Sequence, residues 1–448
     1  MGHWLPSFHP MGKLFGTDGI RGNADHTLTP DLVREVGRAV AVWAGTGARI
    51  VLGRDTRISG PVLEKSFVDG ACSAGADVLL GGVLPTAGVA YLTTLLDGDA
   101  GIVISASHNP PSDNGIKFFA RGGWKLNTQA EETIEALVGS DESGSGEGNV
   151  HEIPEALDSY IAHIDAVASH SVRGLRVVVD CANGAASPVA PEAMRRIGVD
   201  VTAINDSLDG SLINEGCGAL HPEVIAAASK ETGAIGLSFD GDADRVLLSD
   251  ENGRLVDGDA ILAIMAKELK DEGRLASDAI VATVMANQAL RRWCEDEGIK
   301  LVETPVGDRN VLEALRHHDL VLGGEQSGHI IRLDQSTTGD GILAGIAVLD
   351  AVAATGRPLS DLVPFEPFPQ VLINVKTQNK EQIEASDVVS SAVADADRRL
   401  GADGRVLVRP SGTEPVVRVM VEAAEAKLAK EIAEQVADVV RRQAGGDS

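Results

Sequence analysis

Three times along this chain a short apolar run ends in a loop of small and polar residues. No other feature constrains the fold as much. Gly101-Ile102-Val103-Ile104 leads into Ser105-Ala106-Ser107-His108-Asn109-Pro110, and residues 234–239 lead into Asp240-Gly241-Asp242-Ala243-Asp244-Arg245. Residues 319–322 lead into Gly323-Gly324-Glu325-Gln326-Ser327-Gly328-His329. Runs of this length read as buried strands, and ligands bind at the carboxyl ends of strands in open α/β sheets. Three such units in order predict three related α/β domains facing one cleft. Helical patterns alternate with the strands. Thr29-Pro30 and Ser59-Gly60-Pro61 each place a capping hydroxyl before a proline in the first turn. Residues 176–180 form a β-branched strand, followed by a Gly/Ala/Pro loop and a helix. This alternation argues for parallel or mixed sheets covered by helices.

The chain is 448 residues long and 44% hydrophobic, too long for one core and apolar enough for several, so three or four domains are expected. Residues 139–148 are all Gly, Ser, Asp or Glu and are expected to bury nothing, which marks a boundary. The turn at Asn252-Gly253 and the proline-rich run 364–369 mark two more. The expected segments are an extension over 1–10, then 11–148, 149–253, 254–366 and 367–448. The first twelve residues lack the apolar region of a signal peptide. No apolar run reaches the roughly 18 residues of a membrane span.

A formal net charge of -27 repels nucleic acid and anionic membranes, so neither is an expected partner. It also repels anionic substrates, so any phosphate site has to gather positive charge locally. Cys72, Cys181, Cys217 and Cys294 are widely spaced with no CxxC pair. They suggest neither a zinc site nor a disulfide framework, and a reducing cytoplasm fits.

Asp240, Asp242 and Asp244 alternate along an extended segment, and a turn aided by Gly241 brings three carboxylates together. Hard oxygen ligands of this kind suit Mg2+. An EF-hand is the rival reading of residues 240–251. It needs Gly at the sixth position, where Arg245 stands, and flanking helices where strands are expected. Ser107 is the candidate nucleophile. A serine hydroxyl needs a nearby base or metal, and His108 and Lys117 are close enough in sequence to serve or to hold phosphate. A plain Asn-Pro turn is the alternative. Arg409-Pro410-Ser411-Gly412-Thr413-Glu414-Pro415, followed by Arg418, reads as a phosphate cradle of hydroxyls, backbone N–H groups and guanidiniums. Glu325 and Ser327 suit vicinal sugar hydroxyls, or a structural turn. Arg21, Arg54 and Arg57 either add positive charge near the serine or are halves of ion pairs. The Walker pattern does not occur, which disfavours a P-loop kinase.

In this order the motifs resemble those of the α-D-phosphohexomutase family over nearly the whole chain, from Lys13 to about Val421. Lys13-Leu14-Phe15-Gly16-Thr17-Asp18-Gly19-Ile20-Arg21-Gly22 is similar to the family's opening signature. Residues 105–110 are similar to its phosphoserine loop, continued by Asn114-Gly115-Ile116-Lys117-Phe118-Phe119. Thr304-Pro305-Val306-Gly307-Asp308-Arg309 and residues 323–329 are similar to its sugar-recognition loops, and residues 409–415 to its phosphate loop.

The resemblance implies three related α/β domains with mixed sheets plus a smaller α+β C-terminal domain, arranged around a central cleft. It implies that Ser107 is carried as phosphoserine, with His108, Lys117 and Arg21 assisting catalysis. Mg2+ would be held by Asp240, Asp242, Asp244 and a phosphoserine oxygen. Arg245, Gly307, Asp308, Glu325, Ser327, Arg409, Ser411, Gly412, Thr413 and Arg418 would bind substrate. The implied reaction interconverts D-glucosamine 6-phosphate and α-D-glucosamine 1-phosphate through a hexose 1,6-bisphosphate, which also serves as activator. Mannose or glucose phosphates are the alternative substrates. A cytoplasmic monomer or homodimer is implied, feeding UDP-N-acetylglucosamine synthesis.

Overall fold

The computed structural model describes residues 13–16, 18–142, 144, 146–168, 172–377, 379–411 and 415–445. Strands form where β-branched residues and leucine cluster. In the first region these are β1 (Ile20–Asn23), β2 (Arg49–Arg54), β3 (Asp77–Val83), β4 (Ala100–Ile104), β5 (Asp113–Ala120), β6 (Trp124–Lys125) and β7 (Val150–Glu152). They form one sheet in the order β1-β5-β4-β2-β3-β7, with β6 paired to β5. Next come β8 (Arg176–Asp180), β9 (Asp200–Ile204), β10 (Ile235–Phe239), β11 (Val246–Ser249) and β12 (Leu255–Val256), ordered β12-β11-β10-β8-β9. A third sheet has the order β14-β13-β15-β16, built from β13 (Ala279–Thr283), β14 (Lys300–Thr304), β15 (Leu322–Gly324) and β16 (Ile330–Arg332).

The repeat seen in the sequence has a structural basis. β4, β10 and β15 each pair in parallel with one neighbour, and antiparallel with the strand that follows them in the chain. The three polar loops are therefore equivalent connections, β4 to β5, β10 to β11 and β15 to β16. Each leaves the carboxyl end of a strand with a neighbour on both sides, so its starting point is rigid. The third strand begins at Leu322, later than the expected 319, because Asp319 adopts a left-handed φ of 52° just after helix Asp308–His317.

Helices cover the sheets as their caps predict. Thr29 accepts from the Leu32 N–H at the start of helix Pro30–Ala44, which buries Leu32, Val33, Val36 and Val40 along one face. Ser59 stands before helix Gly60–Ser73, but its hydroxyl accepts from Asn114 Nδ2 instead of the helix backbone. The stretch 139–148 was expected to bury nothing, and none of its described residues is buried, although two of its glycines approach other backbone closely. A Cβ on Gly144 or Gly148 would lie 2.0 or 1.8 Å from the carbonyl oxygens of Ala74 and Ala76, so only glycine fits this approach. The chain then continues into β7, which joins β3 in the first sheet.

The chain divides into two compact units. One runs to Met285 and includes Lys300–Val363; the other comprises Ala286–Ile299 and the chain from Pro364 onward. In the second, β17 (Gln370–Lys376), β18 (Gly404–Pro410) and β19 (Val416–Ala423) form an antiparallel sheet with β19 central. Its core packs Val417, Val419 and Val421 against Ile432, Val436 and Val440 of helix Ala426–Gln443. Among the described residues, no helix is long and apolar enough to cross a membrane.

Candidate active site

Ser107 follows β4 in a left-handed conformation, φ 53°, that a serine rarely adopts. Hydrogen bonds from two segments hold it there. Its N–H donates to Ser105 Oγ at 2.9 Å, and Ser105 Oγ donates to Asp55 Oδ2 at 2.7 Å. The carbonyls of Ser107 and Asn109 both accept from Arg57 Nη2, at 2.9 and 2.8 Å, and from Asn214 Nδ2, at 2.9 and 3.2 Å. Arg57 is fully buried and ion-paired to Asp55 at 2.9 Å. Of the two roles open to Arg57 from sequence, the structure takes the ion pair: its charge holds the serine loop from behind. Arg54 likewise pairs with Glu64, at 3.3 Å.

The acidic loop reaches the same point from β10. One ligand atom each of Asp240, Asp242 and Asp244 lies within 4.8 Å of the others, and all three residues are buried. The left-handed residue of this turn is Ala243, φ 57°. Gly241 is needed because a Cβ there would lie 2.5 Å from the Ser107 carbonyl oxygen. That close approach lets Ser107 Oγ donate to Asp240 Oδ2 at 2.5 Å.

Charge in this cluster is dense. Lys117 Nζ lies 2.6 Å from both Asp242 Oδ2 and Asp244 Oδ2, and 3.3 Å from Asp18 Oδ2. Burial pushes Lys117 down, but Asp18, Asp242 and Asp244 outweigh it and hold the ammonium well above its ordinary value. Lys117 is thus a buried cation held between carboxylates. Burial, then the charges of Asp244 and Asp242, pushes Asp240 well above the usual carboxylate range. Asp244 is lowered despite burial, by Lys117, His329 and Arg245. Burial, followed by Arg245 and Arg21, lowers His108 to about 4. Its imidazole is therefore neutral near pH 7, with Nδ1 3.2 Å from Ser107 Oγ.

A divalent metal ion fits these residues. Asp242 Oδ1 and Asp244 Oδ1 are buried without a hydrogen-bond partner, and such orphaned oxygens are costly unless a cation binds them. The raised pKa of Asp240 has the same origin: one lysine does not neutralise three adjacent carboxylates.

The third loop is tied directly to the acidic loop. Val246 N–H donates to Gly328 O at 3.1 Å, and Arg245 and His329 form an isolated antiparallel bridge. Glu325 Oε1 accepts from Gly307 N–H at 3.1 Å, which joins both expected sugar-recognition segments. Ser327 is exposed. Asp308 Oδ2 lies 3.8 Å from His329 Nε2. Arg21 pairs with Asp18 at 2.7 Å, and Arg245 Nε is 3.9 Å from Asp244 Oδ1.

In the C-terminal unit Arg409 and Arg418 are register partners on β18 and β19. Arg409 is lowered by burial and by the charge of Arg418. Buried Ser411 donates its N–H to Val416 O at 2.9 Å, and its carbonyl accepts from Lys380 Nζ at 2.6 Å. Gly412 and Thr413 lie outside the described residues. Sequence reading missed Asn214, Lys380 and the positioning role of Arg57. Asn214 in Ile213-Asn214 carried no motif, and its one signal is a left-handed φ of 60°, invisible in sequence.

Comparison with known proteins agrees with this geometry. Four family descriptions match in order: phosphoglucomutase/phosphomannomutase alpha/beta/alpha domain I over residues 12–145, domain II over 158–253, domain III over 257–368 and the C-terminal domain over 372–439. A phosphoglucosamine mutase of Moorella thermoacetica is 50% identical over 423 residues, covering 92% of this chain and 95% of that one. One of Streptomyces coelicolor is 48% identical, covering 97% and 100%. The crystal structure of a phosphoglucomutase/phosphomannomutase family protein from Burkholderia thailandensis superimposes with a TM-score of 0.84 at 27% identity, covering 97% of this chain and 98% of that one.

Proposed function

The chain belongs to the phosphoglucomutase/phosphomannomutase family, and from that premise we propose that it interconverts D-glucosamine 6-phosphate and α-D-glucosamine 1-phosphate. The observation that carries this reading is the Ser107 hydroxyl bonded to Asp240 inside a cluster of three buried carboxylates.

In the working enzyme Ser107 is a phosphoserine. Its phosphoryl group passes to the free hydroxyl of the sugar phosphate: the serine O–P bond breaks, a sugar O–P bond forms, and a hexose 1,6-bisphosphate results. The bisphosphate turns over and returns its other phosphoryl group to Ser107, so no phosphate is consumed and the same bisphosphate serves as activator. Asp240, Asp242, Asp244 and a phosphoserine oxygen would hold Mg2+, which would supply neutralisation of charge on the migrating group.

The chain's own residues do the rest. Arg57 and Asn214 fix the backbone of the serine loop, so Oγ has one direction in which to react. Lys117 holds Asp242 and Asp244 in place. His108, neutral and 3.2 Å from Oγ, is placed to take the serine proton when the phosphoryl group returns. Arg245, Gly307, Asp308, Glu325 and Ser327 grip the sugar. Arg409, Ser411, Gly412, Thr413 and Arg418 grip phosphate.

Comparing kcat/KM for glucosamine 1-phosphate, mannose 1-phosphate and glucose 1-phosphate, with Mg2+ and a bisphosphate activator, tests the substrate. The amino sugar is expected to rank first. If it ranks last, the chain is a mutase for a neutral hexose.

A further inference from the structure

One hairpin of the first sheet reaches out to the segment proposed to hold the sugar. β5 turns through Gly122 and Gly123, φ 79° and 72°, into the two residues of β6. Trp124 packs against the cluster of Ala279, Val281, Val311 and Leu315, and the Arg316 guanidinium lies 4.7 Å over its ring. The Gly123 carbonyl accepts from Thr337 Oγ1 at 2.6 Å. The hairpin tip is thus anchored on the third sheet and its helix Asp308–His317.

Lys125 follows Trp124 and makes a more specific contact. Its ammonium donates to Asp18 Oδ1 at 2.6 Å and to Asp308 Oδ2. Asp308 is the first residue of its helix, directly after Gly307. Asp18 also lies 3.3 Å from Lys117, the cation that holds Asp242 and Asp244. Charges therefore alternate from the acidic loop through Lys117, Asp18 and Lys125 to Asp308. Lys125 is only 10% exposed, and a buried ammonium is tolerated only when paired. Its charge is already matched by two carboxylates, which makes it a poor phosphate ligand and a good brace.

We infer that Lys125 is a positioning residue: by bridging Asp18 and Asp308 it fixes the Gly307 and Asp308 segment relative to the serine and acidic loops, and so sets sugar affinity. This rests on the proposal that Gly307 and Asp308 contact the sugar. Arg309, paired with both oxygens of Glu131, supports the same helix start from outside the bridge.

The test uses whichever hexose 1-phosphate the wild-type protein turns over fastest, so an error in the choice of sugar does not confuse it. Lys125→Gln is expected to raise KM about tenfold while kcat falls less than about threefold, the signature of lost binding and not of lost chemistry. Phosphoserine content, read by intact mass, is unchanged, and Lys125→Arg restores KM to within about threefold. In an Asp308→Asn background, Lys125→Gln adds less than about twofold to KM, because the two residues act as one unit. Independent, multiplicative effects on KM would overturn the inference. So would a loss of kcat at unchanged KM, or a fall in melting temperature with kinetics intact. Should Lys125→Gln fail to fold, Lys125→Met, which keeps the apolar stem, is read by the same criteria. A wild-type protein inactive on every hexose phosphate refutes the proposed function; an active one with an indifferent Lys125 refutes only the brace.

Discussion

In the first unit, three buried carboxylates cluster with buried Ser107 bonded to one of them and buried Lys117 paired with the other two. In the second, Arg409 and Arg418 face each other across β18 and β19, with Lys380 bonded to the Ser411 carbonyl at the strand end. Both regions gather like charge, which opposes folding. They differ in how far the protein compensates. The carboxylate cluster carries an internal cation on one flank, rigid backbone ties on the other, and two orphaned oxygens between. The arginine pair sits on two paired strands, in a chain whose net charge is -27. On the proposed reading, the first region serves the chemistry and the second holds an anion. Losses in the first should appear in kcat, and losses in the second in KM.

The largest effect tests the first half of that contrast. Ser107→Ala should lower kcat by at least ~10³-fold, a barrier increase of about 4 kcal/mol. It should also abolish the fraction of protein that intact mass shows heavier by one phosphoryl group. A variant turning over at near-normal rate would remove the distinction between the regions. Arg409→Ala should raise KM for the sugar phosphate about tenfold, about 1.4 kcal/mol, with phosphoserine content and metal affinity untouched. A fall in kcat at constant KM would place Arg409 in the chemistry and erase the contrast from the other side.

The smallest effect concerns a second acidic group, Glu268 with Glu272 and Asp350, which lines a cavity of about 240 Å³ alongside Arg274 and Arg332. Burial, then the charges of Glu272 and Asp350, raises the Glu268 carboxyl from 4.5 to about 7. The folded chain keeps that proton where the unfolded chain has lost it, so stability falls as pH rises from about 4.5 to about 7. Glu268→Gln should therefore raise the melting temperature at pH 8 by about 1–2 °C, a small gain because solvent screens a partly exposed group. It should change nothing below the ordinary glutamate value. An equal shift at both pH values would show that charge is not the cause.

Much of this was legible in the chain. Alternating aspartates, a small polar loop after a valine- and isoleucine-rich strand, and a Gly/Ser/Thr run between arginines are local patterns, and local patterns survive in sequence. What stayed hidden is long-range pairing. Arg57 and Asn214 meet at the Ser107 carbonyl from 50 and 107 residues away. Lys125 and Asp308 are separated by 183. No periodicity or spacing encodes such partners; the pairing of β4 with β2 brings Arg57 to Ser107, and Asn214 and Asp308 arrive from segments outside that sheet. Gly241 shows the same limit. A glycine in an acidic turn suggested only an aid to the turn, yet it is the Ser107 carbonyl oxygen, 2.5 Å from where a Cβ would lie, that excludes a side chain. The Gly/Ser stretch before β7 adds a related point: its described residues stay unburied, yet Gly144 and Gly148 approach the Ala74 and Ala76 carbonyls too closely for a side chain.

Anomalous diffraction from crystals grown with Mn2+ in place of Mg2+ would locate the metal directly. One site is expected, with an oxygen from each aspartate of the 240–244 loop and one from the side chain at position 107, all within about 2.0–2.3 Å. Strong signal elsewhere, or none at a Mn2+ concentration that supports turnover, would contradict the account.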